Sequence, residues 1–189
     1  MVRIFTLTLF ICFVGCSSAP ETGRKQFIVM SSSQEIAIGQ EAFLKVLQEE
    51  KIVSSGPSYE MVQRVGEKVA LAADRLYPGA VRGYIWKFAL IQDNDMVNAW
   101  ALPGGKCAVY TGLLPVAKNE DGLAIVMAHE VAHVISRHGA ERASRSIMGA
   151  AVVAGMAMAD MNKRDSSIVL GAYGLGVALP FSRTQESDA

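Results

Sequence analysis

Charge of one sign is what this chain most plainly lacks. Over 189 residues, 18 lysines and arginines balance 18 aspartates and glutamates, so the formal net charge is zero. A protein that follows a phosphate backbone needs a basic stripe, and none interrupts this balance, which excludes nucleic acid as a partner. Cysteine is scarce as well. Of the three present, Cys12 and Cys16 fall within the first 16 residues. Cys107 is left without an intrachain disulfide partner, so stability rests on packing or on a metal. No glycine pattern for dinucleotides occurs, and Gly104-Gly105-Lys106 lacks the rest of a phosphate loop. No internal repeat is visible. The apolar stretches fall short of the roughly 20 residues that a membrane-spanning helix needs.

What is present is a chain with 51% hydrophobic and 19% charged residues, enough for one domain with a real core. Its beginning differs in kind. Arg3 is followed by an uncharged run over residues 4–15, which fits the core of a signal peptide. Phe13-Val14-Gly15-Cys16 resembles a bacterial lipobox, so residues 1–15 are expected to be a lipoprotein signal peptide and Cys16 the lipidated N-terminus. Residues 16–31 then read as a tether. The serine after the cysteine, Ser17, fits an outer-membrane lipoprotein facing the periplasm of a bacterial envelope.

Beyond the tether, a helix capped by Ser32 or Ser33 should start near Gln34 and run to Glu50, with Ile36, Phe43, Leu44 and Leu47 along one side. A second helix is expected over residues 58–76, with Val62, Val65, Val69, Ala72 and Leu76 on one face. Residues 84–92 (YIWKFALIQ) read as a strand, Val97-Asn98-Ala99-Trp100-Ala101-Leu102 as extended, and residues 106–111 (KCAVYT) as a third strand after a Pro103-Gly104-Gly105 turn. A helix should follow from about Glu120 to His138, then a buried helix over residues 147–161 and an apolar, glycine-rich stretch over 166–179. This order is α+β, with helices flanking a small antiparallel or mixed sheet. Trp86 and Trp100 read as core or cleft wall, and the methionines around 148–161 as flexible packing.

The chemistry gathers in residues 127–138, MAHEVAHVISRH. Positions i and i+4 share a helix face, so His129 and His133 can turn both imidazoles toward one zinc ion. Glu130 is rotated by about 100° and is placed to act on a water instead. Catalytic zinc takes three protein ligands. His138 does not qualify, being nine residues on and half a turn away from that face, and the HExxHxxGxxH plan fails because Ser136 and Gly139 stand where glycine and histidine are needed. A carboxylate is therefore expected as the third ligand. Glu141, Asp160, Asp165, Glu186 and Asp188 are the candidates. Glu141 sits too near in the chain to fold back easily, and spacing does not separate the others.

Residues 94–138 resemble the M48 family of zinc metallopeptidases, in its periplasmic and mitochondrial quality-control branch. The resemblance rests on Val97-Asn98-Ala99-Trp100-Ala101-Leu102-Pro103-Gly104-Gly105-Lys106, then Val109-Tyr110-Thr111-Gly112-Leu113, then Asn119-Glu120-Asp121, then HEVAH. Thr22-Gly23-Arg24-Lys25-Gln26 is similar to the small outer-membrane lipoproteins of the same branch. The resemblance implies a zincin-like fold, mostly helical, with a small sheet beside the HExxH helix. It implies one Zn2+ per chain, and it assigns the third ligand to Glu186, because Ser182-Arg183-Thr184-Gln185-Glu186-Ser187-Asp188-Ala189 matches the family's SRxxExxAD pattern. The family's following aspartate would be residue 190, so residues 32–189 read as a peptidase domain truncated at its C-terminus.

By the same resemblance, Glu130 is the general base of a zinc metalloendopeptidase. Asn98 and Ala99 form an edge to which substrate adds as a strand. His138, in a polar cluster with Arg137, Glu141 and Arg142, is a candidate for stabilising the transition state or supporting a ligand, with helix capping or salt-bridging as the alternative. The implied partners are unfolded or misfolded envelope proteins as substrates, the membrane through the lipid anchor, and envelope assembly factors. A periplasmic chaperone or assembly factor with latent protease activity is the alternative.

Overall fold

Ser31 begins the first helix, α1 (Ser32–Glu49), through a reciprocal capping box. The Gln34 amide donates to the Ser31 hydroxyl at 3.3 Å, and the Ser31 amide donates to the Gln34 side-chain oxygen at 2.9 Å. The cap therefore lies at Ser31 and not at Ser32 or Ser33. Glu35, which would complete a box from Ser32, is turned inward and buried. Of the apolar side chains expected along this helix, Phe43 is buried while Leu44 and Leu47 are exposed. The computed structural model describes residues 16–20, 22–158 and 183–189, with side-chain environments given for residues 18–20, 22–149 and 184–189. Residues 1–15, read above as a signal peptide, Asp160, Asp165 and the 166–179 stretch lie outside the described residues.

The described chain falls into two compact units, one of residues 31–136 with 188–189 and one of the described parts of 16–30 and 137–187. In the first, α1 is followed by β3 (Ile52–Val53), α2 (Pro57–Leu76), β4 (Lys87–Ile91), β5 (Ala99–Leu102) and β6 (Lys106–Tyr110), while β1 (Cys16–Ser18) and β2 (Lys25–Phe27) belong to the other unit. The sheet order is β3-β4-β6-β5, parallel between β4 and β6 and antiparallel elsewhere. It is a small, open, mixed sheet. The two-residue strand β3 carries no alternation by which the sequence could announce it.

Strand β4 is shorter than the expected 84–92 because its leading residues are tied to the β5–β6 turn. The amides of Ile85 and Lys87 donate to the Gly104 and Gly105 carbonyls at 3.1 and 2.8 Å. Gly104 and Gly105 take φ of +86° and +76°, a left-handed backbone that glycine tolerates. A Cβ on Gly105 would also lie 2.9 Å from the Trp86 ring. The Lys106 ammonium closes the turn from inside, donating to the Gly104 carbonyl at 2.8 Å and to the Ile85 carbonyl.

Helix α2 buries Val62, Val65, Gly66, Val69, Ala70 and Ala73. Ala72 is exposed, lying about 90° from the middle of that buried arc, beyond its edge. Leu76 is in phase but falls in the closing turn, where it is 68% exposed. After a 3-10 turn and the short α3 (Leu114–Ala117) comes α4 (Glu120–Ile135), capped by Asn119, whose side chain accepts the Gly122 amide at 2.9 Å. Helix α4 packs against β5 and α2. Leu123, Met127, Val131 and Ile135 enter the core beside Val65 and Val109.

The expected continuation of this helix to His138 does not occur. Its last cap is Ser136, whose amide reaches the Ala132 carbonyl at 2.9 Å, and Arg137 turns to φ +56°. A new helix, α5 (His138–Met158), starts there. It covers most of the expected 147–161 helix, but its Ile147 and Met148 are exposed rather than buried.

The second unit contains α5, an antiparallel hairpin of β1 (Cys16–Ser18) and β2 (Lys25–Phe27), and the body of α6 (Arg183–Asp188). The stretch read as a tether thus carries a hairpin, with Ala19, Gln26 and Ile28 buried. The Val29 amide donates to the Ser144 hydroxyl at 3.0 Å, and the Arg137 guanidinium to the Met30 carbonyl at 2.8 Å. The fold is α+β and predominantly helical, as expected. No helix among the described residues is long and apolar enough to cross a membrane.

Candidate metal centre

One turn of α4 separates His129 from His133, and their Nε2 atoms lie 3.1 Å apart. The rings meet edge to face, with centroids at 4.5 Å and planes at 77°. His133 is buried and His129 half-buried. A tetrahedral zinc with Zn–N bonds of about 2.0–2.1 Å holds two nitrogens about 3.3 Å apart, so the pair is spaced as such a centre requires. Among the described residues, His129, His133 and Glu186 are potential metal ligands. Two imidazoles and a carboxylate are a donor set that suits zinc.

Glu130 is half-buried between the two histidines in sequence. Cys107, on β6, is the nearby sulfur. Burial pushes its thiol up to about 12; the neighbouring Lys106 charge works against that rise and the Glu130 carboxylate adds to it. At neutral pH it is an inert thiol, not a thiolate ligand.

The other carboxylates considered for the third ligand go elsewhere or lie outside the described residues. Glu141 is buried under arginine and glutamine side chains. Burial alone would raise its pKa, but hydrogen bonds from Arg24 and Gln185 and the charges of Arg145 and Arg24 outweigh that and hold it at about 2. Asp188 is buried and is not among those potential ligands. His138 is fully buried at the head of α5, and its backbone carbonyl faces the Gln185 amide at 3.5 Å.

Among the described residues, strand β5 is a sheet edge, paired to β6 on one side. Just ahead of it, the exposed Asn98 caps its own strand: its side-chain oxygen accepts the Ala99 amide at 2.9 Å and its carbonyl accepts the Tyr110 amide at 3.0 Å. Ala99 is buried and pairs with Val109. Trp100 packs edge-on against Phe43, and Trp86 donates to Asp74 at 3.1 Å while stacking along Phe88, the wall and core positions expected of both. The residues that sequence reasoning passed over are Gln185 and the Arg24–Glu141 pair. Their only sequence signal is that each lies in a segment noted for other reasons.

Comparison with known proteins gives the same direction. Residues 58–189 match the model of peptidase family M48. The chain is 33% identical over 181 residues to the mitochondrial metalloendopeptidase OMA1 of Schizosaccharomyces pombe, covering 94% of this chain and 51% of that protein. It is 28% identical over 200 residues to OMA1 of Saccharomyces cerevisiae, covering 96% and 56%. It is also 26% identical over 119 residues to the beta-barrel assembly-enhancing protease of Yersinia pestis, covering 63% and 23%. The chain spans about half the length of its two yeast relatives.

Proposed function

Since the chain belongs to peptidase family M48, we propose that it is a zinc-dependent endopeptidase of the bacterial envelope that cleaves unfolded or misfolded proteins. The observation that carries this reading is the His129–His133 pair on α4, at metal-binding separation, with Glu186 as a potential third ligand. Those three side chains would hold one zinc ion. When bound, the ion supplies a Lewis acid for the scissile carbonyl and makes an attacking water acidic.

The remaining work falls to the chain. Glu130 takes the proton from the attacking water and delivers it to the leaving amine, so no covalent intermediate is needed. The open edge at β5, entered at Asn98 and Ala99, holds substrate as an added strand through backbone hydrogen bonds, a mode indifferent to most side chains and suited to unfolded clients. His138 is assigned to transition-state or ligand support. Its replacement by glutamine should lower kcat while zinc is retained. Cys16 carries the lipid that keeps the enzyme on the outer membrane, facing the periplasm. This rests on the Phe13-Val14-Gly15-Cys16 pattern.

The test pairs zinc content with hydrolysis of an unfolded protein, in the full chain and in Glu130→Gln. The expected result is about one zinc per chain in both and a loss of cleavage in the variant of at least about 100-fold. Cleavage that survives Glu130→Gln, or a chain that binds no zinc, would overturn the reading.

A further inference from the structure

Glu141 is an acid for which the proposed reaction has no use, and its side chain is only 1% exposed. A buried carboxylate is tolerated only when its charge and lone pairs are satisfied. Five donor contacts do so here: Arg24 Nη1 and Nη2 at 3.0 and 2.9 Å, Gln26 Nε2 at 3.3 Å, Arg145 Nη2 at 2.6 Å and Gln185 Nε2 at 3.1 Å. Arg24 and Gln26 come from the N-terminal hairpin, Arg145 from the next turn of α5 and Gln185 from α6. The Arg24 fork takes both carboxylate oxygens, which fixes orientation as well as charge.

Gln185 is the informative member. It is buried, and it stands immediately before Glu186. The helix that carries both, α6, has six residues, too few to hold its own conformation without tertiary contacts. Successive residues on a helix are about 100° apart, so fixing Gln185 fixes the direction in which Glu186 leaves the helix. The Gln185 amide spans two points on α5, the Glu141 carboxylate and the His138 carbonyl, and so removes the freedom to rotate.

We propose that Glu141 is a positioning residue for Glu186, acting through Gln185, and that the N-terminal hairpin sets the strength of this hold through Arg24 and Gln26. The proposal rests on the assignment of Glu186 as a zinc ligand. It makes residues 16–28, next to the proposed lipid anchor, part of the apparatus that tunes metal affinity.

The test is zinc affinity of the full chain, measured by competition with a chromophoric chelator, for Arg24→Gln, Gln185→Leu and the double variant. Each is made with Glu186 intact and with Glu186→Gln. Arg24→Gln and Gln185→Leu should each weaken zinc binding by about 10–100-fold, the range for residues that orient a ligand. The double variant should lose no more than the worse single one, because both act through one contact. Arg24→Lys, which keeps the charge, should recover part of the loss. In the Glu186→Gln background neither change should alter affinity further, and the visible spectrum of the cobalt-substituted Arg24→Gln chain should shift toward that of Glu186→Gln. Variants that melt earlier yet bind zinc as tightly as the parent would overturn the proposal, leaving the hairpin a purely structural element. So would an equal loss that persists without Glu186. If Glu186→Gln alone leaves zinc affinity unchanged, the ligand assignment fails first and the proposal goes with it.

Discussion

The two compact units bury different kinds of group. In residues 31–136 the interior is mainly apolar, with Val62, Val65, Leu90, Val109, Leu123 and Val131 at its centre, and the buried polar residues Glu35, Lys106, His133 and Ser136 are outnumbered by it. In the unit formed with residues 137–187, Ala19, Ile28 and Ala140 are joined by Gln26, His138, Glu141, Ser144 and Gln185, all buried. Apolar burial contributes in proportion to area and is indifferent to direction. A buried polar cluster adds little net stability, but each of its bonds has an angle and a length. The difference matches two tasks. A scaffold for α4 needs area; a six-residue helix that must aim one side chain needs bonds.

The largest effect that tests this contrast is in the apolar interior. Leu123 is wholly buried where α4 enters the core. Leu123→Ala should cost about 2–5 kcal/mol through lost transfer free energy and a residual cavity. Both tryptophans, Trp86 and Trp100, lie in residues 31–136, so urea unfolding followed by their fluorescence reports this unit. The cost should be the same at pH 7 and pH 5, because nothing that titrates is removed. A cost that changed with pH would break the contrast.

The polar cluster should respond to acid. The folded-state pKa of Glu141, about 2, lies below its ordinary value of 4.5. A depressed carboxylate pKa means that the stabilisation is fully present above about 4.5 and is lost progressively as the pH falls toward about 2. Hydrogen exchange over residues 18–30, corrected for the intrinsic pH dependence of the chemistry, should show protection falling through this window. In Glu141→Gln, which has no proton to gain, that part of the pH dependence should vanish. A hairpin whose acid profile is identical in both chains would mean that Glu141 is not what holds it.

How much of this was legible in the sequence follows the same division. The spacing of His129, Glu130 and His133 was readable because a helix turns a four-residue interval into a shared face, and α4 is a helix there. The two long N-terminal helices and the three main strands were readable from periodicity and from the Pro103-Gly104-Gly105 turn. What was hidden depends on contacts distant in sequence. The break at Ser136–Arg137 has no glycine or proline at the residue that turns, since Arg137 itself takes the positive φ. The folding of residues 16–28 onto a buried carboxylate joins positions 117 and 115 apart, which no local pattern encodes. Gln185 was read only as a filler in a motif, although its amide is one of the groups that satisfies Glu141.

The smallest effect sharpens the same point on α2. Periodicity places Val69 and Leu76 on one buried face, yet Val69 is 7% exposed and Leu76 is 68% exposed. Hydrophobic character and phase are equal at the two positions; only the extent of the core differs. Leu76→Ser should therefore change stability by no more than about 0.5 kcal/mol. Val69→Ser loses a buried side chain worth about 1.5 kcal/mol or more and also buries a hydroxyl. Urea midpoints read from tryptophan fluorescence separate the two. Equal losses at both positions would mean that the last turn of α2 is covered in solution, and that the periodic pattern was the better guide to this helix than the exposure of its end.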